Sequence, residues 1–136
     1  MQIYRIFDDL IDETTMNNES PKAAANRKKY ALVRSAFKGW AHKCMICSNR
    51  EVVDVHEIAN GPARQEALGK REAWLAVCRM CHDQLSDKNM WPVARQLAVK
   101  LVKDPEWFDP VVVNILRGRD PEAITLVEIA EYLKVK

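Results

Sequence analysis

Ile3, Ile6, Phe7, Leu10 and Ile11 recur at helical spacing, which predicts a short amphipathic helix over residues 3–13. The polar run "TTMNNESP" breaks that period, and it leaves Ser20 placed to cap and Pro21 to open a second helix. Along this second helix Tyr30, Val33, Phe37 and Trp40 fall on one stripe, and Gly39 predicts its stop. From Cys44 the period changes. "EVVDVH" (51–56) is short and β-rich, "WLAV" (74–77) is a second apolar run, and Gly61-Pro62 and Gly69 punctuate the loop between them, which has room for one helical turn. "HDQLSDK" after Cys81 predicts another short helix. In "WPVARQLAVKLVKD", Pro92 opens a helix with Val93, Ala94, Leu97, Ala98 and Leu101 as its apolar face, and Asp104-Pro105 ends it. "DPVVVNILRG" repeats that logic with Asp109 as N-cap and Gly118 as stop, and Thr125 with Glu128 forms a capping-box pattern opening "LVEIAEYLKV".

The pattern describes one α+β domain over residues 1–136. It has N-terminal helices over 1–43, including a basic helix at 21–39, a core over 44–86 and C-terminal helices over 91–136. With 48% apolar and 29% charged residues, the chain is rich enough in both to bury a core and stay solvated. It contains no apolar run of membrane-spanning length. The opening "MQIYRIFDDLIDE" lacks the layout of a signal peptide, so the expected location is the cytosol, where cysteines serve more often as metal ligands than as disulfides.

A net charge of +2 says nothing about partners, but its distribution does. Residues 1–20 carry five acids and one base, whereas residues 21–43 carry seven bases and no acid. Such a block suits a polyanion such as DNA, with Arg27, Lys28 and Arg34 as candidate backbone contacts; it serves equally as a solvated helix face. Arg117 and Arg119, either side of Gly118, divide in the same way between phosphate contacts and a solvated loop. Trp40, Trp74, Trp91 and Trp107 are expected in the core.

The sharpest chemical signal is Cys44-x2-Cys47 followed by Cys78-x2-Cys81. Two residues between cysteines let both thiolates of a knuckle face one ion, and two knuckles complete a tetrahedral four-thiolate zinc site. Cys78-x-x-Cys81-His82 also fits c-type haem attachment, but that reading leaves the other pair unexplained. A redox dithiol would need a βαβ context, which the pattern lacks. Two of the three histidines, His56 and His82, sit at the end of the first predicted strand and just after the last cysteine. A zinc staple would draw them together.

A Cys-x2-Cys, a β-rich stretch ending in "VHEI", a loop containing "NG", an apolar strand and then "CRMCH" together resemble the HNH (His-Me finger) endonucleases. The "HEI" form is similar to that of many bacteriophage-encoded members, and the resemblance covers roughly residues 44–86. It implies a ββα-metal centre stapled by zinc and flanked by helices on both sides. It also implies a divalent cation, Mg or Mn among others, and cleavage of DNA phosphodiester bonds, with phage DNA processing as one setting. Carried over by position, His56 and His82 would hold the ion, and Glu57 would be base or ligand where the family has a second histidine; the exchange of roles, with His56 as base, is also open. The family asparagine would fall near Glu72–Ala73 and its last histidine at Ser86, so neither is present; Asn60, Arg64 and Arg71 are nearby substitutes, with Arg64 suited to clamp phosphate. The competing class is an HNH-like zinc module that binds nucleic acid or a protein without cutting. A purely structural zinc protein of a phage particle or replication assembly is a third.

Overall fold

The computed structural model describes residues 20–59 and 64–134. The helix expected over 3–13, and Asn60, lie outside the described residues. The elements run α1 (Pro21–Ala41), β1 (Asp54–Glu57), α2 (Arg64–Ala67), β2 (Trp74–Val77), α3 (Arg79–Gln84), α4 (Val93–Lys103), α5 (Pro110–Leu116) and α6 (Leu126–Glu131). Single 3-10 turns at Arg71–Ala73 and Pro105–Trp107 precede β2 and follow α4. The mixed helix-and-strand class matches the sequence reading.

β1 and β2 pair antiparallel, with His56 opposite Leu75 and Glu57 opposite Trp74. α3 leaves directly from β2 and packs back against β1. β2 is buried along its whole length, which is why "WLAV" reads as a continuous apolar run. Trp74 anchors the core: its indole N–H donates to Ala67 O at 2.9 Å, and its ring lies 5.3 Å from that of Phe37 on α1.

The capping signals hold. Ser20 accepts from the Ala23 amide, Asp109 from the Val112 amide, and Thr125 and Glu128 complete the capping box. Gly118, at φ 73°, supplies the left-handed turn after α5. Gly39, by contrast, does not stop α1. The helix continues to Ala41 and ends where His42 takes φ 66° and returns its N–H to Lys38 O. A glycine inside a helix costs only about 1 kcal/mol, and the packing of Phe37 outweighs that.

Two tryptophans expected in the core are not there: Trp40 is 56% and Trp107 40% exposed. Both lie over the Arg71 guanidinium, at 4.6 and 5.2 Å. Val33 is exposed as well, so the stripe on α1 narrows to Phe37 with Tyr30 half-buried. Leu101 on α4 is likewise only half-buried, and its place on the packed face is taken by polar residues.

Those residues are Gln96 and Lys100, with Asp104 one turn on, spaced four apart so that they share one side of α4. The Lys100 ammonium donates to Arg71 O (2.7 Å), Trp74 O (2.8 Å) and Asp104 Oδ2 (2.7 Å). All three of its protons are therefore used. Arg71 binds the same carboxylate through Nε and Nη2 at 3.1 and 3.0 Å. Burial pulls Lys100 down to about 8 while the Asp104 carboxylate opposes the fall, so it remains charged at neutral pH. Lys100→Met, which takes the buried cation and its three hydrogen bonds away from the Arg71 and Trp74 carbonyls and the Asp104 carboxylate, is expected to lower stability by about 3 kcal/mol or more in urea unfolding of the zinc-loaded protein. A loss below about 1 kcal/mol would show that this network does not hold β2 to α4.

Candidate metal centre and histidine pair

The first knuckle closes on itself before it meets the second. Cys44 N–H donates to Arg50 O at 2.8 Å, Ser48 N–H to Cys44 O at 2.9 Å, and a bridge joins Lys43 to Glu51. Ser48 sits at φ 62° in the tip of that turn. Met45 N–H donates to Ala76 O at 2.8 Å, which hooks the knuckle onto β2. In the second knuckle Cys78 is the N-cap of α3, and its sulfur accepts from Cys81 N–H at 3.5 Å; Cys44 Sγ accepts from Ile46 N–H at 3.4 Å. Amides aimed at the cysteine sulfurs favour the thiolate.

As a result the sulfurs of Cys44, Cys47, Cys78 and Cys81 all lie within 4.8 Å of one another, with no disulfide between them. The four cysteines can therefore hold a metal ion, and four thiolates in this arrangement suit zinc. Their protonation is uneven. The Arg50 and Asn49 amides bring Cys47 down to about 6, while burial, reinforced by the neighbouring thiols, pushes Cys81 well up. Only a cation resolves that conflict by letting all four ionise.

The hairpin and α3 hold the second group. His56 on β1 and His82 on α3 lie with ring centroids 5.3 Å apart, edge to face. His82 Nδ1 and Asp54 Oδ2 are 3.0 Å apart, and Arg79 reaches the other oxygen of Asp54 at 3.2 Å. His56 Nε2 lies 2.8 Å from Gln96 Oε1, and Gln96 Nε2 donates to Trp91 O at 2.9 Å. His56 is 7% exposed; burial, its largest influence, lowers it to about 4 against the opposing pull of Gln96, so the ring is neutral at ordinary pH.

Glu57 stands apart from this pair. Side chains alternate along a strand, so Asp54 and His56 share one face of β1 and Glu57 takes the other. There its carboxylate is bound by Arg34 of α1, which also donates to Leu68 O at 3.1 Å and lies over Trp74. Adjacent positions in "HE" had suggested one shared site; the two side chains are instead committed to different neighbours. Arg34 itself, expected to face DNA, turns inward to Glu57. Arg27 and Lys28 lie on α1 as expected, and neither is without a partner. Arg64 begins α2, its side chain outside the described residues. Ser86, at the position of the missing histidine, donates to Asp83 O.

Among the described residues the cysteine quartet is the one group of three or more His, Cys, Asp or Glu side chains gathered for a metal. Two residues near the histidines gave little sign of themselves in the sequence. Gln96 is a polar residue on the buried side of α4, and such a group must find a partner. Lys88, in the turn before α4, has a charge felt by His56; burial and then the Arg117 charge lower Lys88, and burial and then Arg119 lower Arg117. No described helix is long and apolar enough to cross a membrane. No known protein family, curated protein or solved structure matches the chain.

Two outcomes are expected. The purified chain should carry one zinc, and Cys44→Ser or Cys81→Ser should abolish stoichiometric metal and cost several kcal/mol, as chelation would; cobalt substitution would report the tetrahedral thiolate site by its absorption. Separately, the unfolded chain takes up a proton at His56 near pH 6.5 that the folded chain accepts only near 4. Stability should therefore fall as pH drops through that window, by on the order of 3 kcal/mol from this group. A His56→Asn variant should lack that part of the slope and keep the part due to zinc.

Proposed function

We propose that this protein is a cation-assisted endonuclease of the HNH type, hydrolysing DNA phosphodiester bonds at the His56–His82 pair. The carrying observation is the 5.3 Å approach of those rings at the junction of a β-hairpin and the helix that follows it, beside a four-cysteine staple. That order of strand, strand, helix and metal knuckles is what the ββα-metal centre implies.

His56 is assigned as general base. It is neutral, so it can take the proton of a water attacking phosphorus while the bond to the leaving sugar oxygen breaks. Glu57 is assigned to holding β1 against α1 through Arg34, not to proton transfer. His82, whose Nδ1 is engaged with Asp54, has the carboxylate-supported arrangement common to metal-ligating histidines, which leaves Nε2 to a cation. A divalent cation such as magnesium or manganese would be held there by His82 Nε2, with Asp54 supporting the ring from Nδ1. Bound there, such an ion would supply stabilisation of the charge developing on phosphate.

The surroundings suit a polyanion. Burial lowers Lys88 and Arg117 most, and after it Arg117 acts on Lys88, and Arg119 on Arg117, as a like charge. An incoming phosphate would relieve that repulsion. These three residues are proposed to contact the DNA backbone.

Nicking of supercoiled plasmid by the zinc-loaded protein, with magnesium, manganese or EDTA, tests the reading. Nicking should depend on the cation, fall at least about 100-fold in His56→Ala, and survive within about tenfold in Glu57→Gln. The reverse ranking would return the base to Glu57. Salt-sensitive DNA binding with no cleavage under any cation would identify the non-cutting module instead. In either case Lys88→Ala and Arg117→Ala should each weaken binding on all sequences and reduce the salt slope by about one.

A further inference from the structure

Gln96 belongs to none of the motifs, yet it is fully buried and both ends of its amide are engaged. Its Nε2 lies 2.9 Å from Trp91 O, and a carbonyl can only accept, so the NH2 end must face Trp91. The amide oxygen is left 2.8 Å from His56 Nε2. An amide oxygen also only accepts, so the hydrogen in that contact belongs to the histidine. In a neutral imidazole one nitrogen carries the hydrogen and the other the lone pair. With Nε2–H committed to Gln96, the lone pair sits on Nδ1.

We infer that Gln96 is a positioning residue: by accepting the Nε2–H of His56 it fixes the ring and the tautomer that leaves Nδ1 as the proton-accepting atom. The inference rests on the reading of His56 as general base. The orienting partner thus comes from α4, outside the stretch that resembles the nuclease motif. The anchor is a backbone carbonyl five residues earlier, in the turn that opens α4, so the position of the Gln96 oxygen is set by the helix start itself. The other neutral tautomer of His56 would leave two acceptors facing each other in the buried contact with Gln96, which is costly.

The test uses the full zinc-loaded chain labelled with 15N at histidine, read by long-range proton–nitrogen correlation. His56, assigned by its loss in His56→Asn, should show the Nε2–H tautomer. Gln96→Met, close in volume but without an acceptor, should bring in the Nδ1–H form and lower the kcat of plasmid nicking by about 10- to 100-fold with KM little changed. Gln96→Glu, protonated on the oxygen that faces Trp91 O, keeps an acceptor towards His56 and should keep the Nε2–H form, which separates loss of the hydrogen bond from any misfolding of the methionine variant. An Nδ1–H tautomer in the unaltered protein, or an Nε2–H tautomer unchanged in Gln96→Met, would overturn the assignment. A tautomer shift without loss of nicking would overturn the positioning role. An unaltered protein that shows the expected tautomer yet never nicks DNA would sink the nuclease reading and with it the catalytic half of this inference, while upholding the hydrogen-bond assignment.

Discussion

Four cysteine sulfurs within 4.8 Å of one another cannot all ionise unless a cation lies among them, and the rest of the core is arranged around that constraint. Cys44 and Cys47 lead towards β1, while Cys78 and Cys81 bracket the junction of β2 with α3. Joining the knuckles therefore fixes the hairpin and the helix relative to each other in a stretch with little secondary structure of its own. Two strands of four residues and a helix of six would not persist unaided. The packing of Trp74 on Phe37 and the Lys100 network support the same unit from the other side.

That division of labour separates metal from chemistry. Four thiolates around one ion would leave no open position for water or substrate, which suits a structural ion. The knuckles also help bring His56 on β1 up to His82 on α3, where the proposed reaction is placed. The strand's two-residue period then selects which neighbours take part. Asp54 and His56 face α3, and Glu57 faces α1, so one register decides that a carboxylate supports His82 while another is locked to Arg34.

The parts legible in the sequence are those fixed by local chemistry. The cysteine spacing, the caps at Ser20, Asp109 and Thr125, the strand at 74–77 and the stop at Gly118 each follow from one or two residues acting on their own backbone. The parts that were not legible depend on distant contacts. Gly39 is a breaker only where nothing else holds the helix, and here Phe37 does. Trp40 and Trp107 cover a guanidinium instead of filling the core. Lys100 and Gln96 read as solvent-facing by residue type, yet their spacing with Leu97 and Asp104 puts them inward. For the candidate site, His56, His82 and the four cysteines could be named in advance, whereas the partners of Glu57 and His56 could not, since Arg34 and Gln96 lie 23 and 40 residues from them.

The buried polar stripe of α4 shows why the support for a short motif need not lie inside it. From one helix face Gln96 reaches His56, and Lys100 with Asp104 reaches the turn before β2. A helix is a rigid ruler with four residues between these contacts, so the start of β2 and the ring of His56 cannot shift independently of each other. Replacing all of those groups together by apolar ones of similar volume, unlike removing Lys100 alone, is often neutral or stabilising in proteins, which makes a polar stripe hard to explain by stability alone. What it adds is fixed orientation: each donor accepts only one arrangement of its partners, and an apolar contact would tolerate many. For His56 that restraint comes from Gln96 on α4, 40 residues along the chain, and it is the kind of restraint that the proposed general base would need.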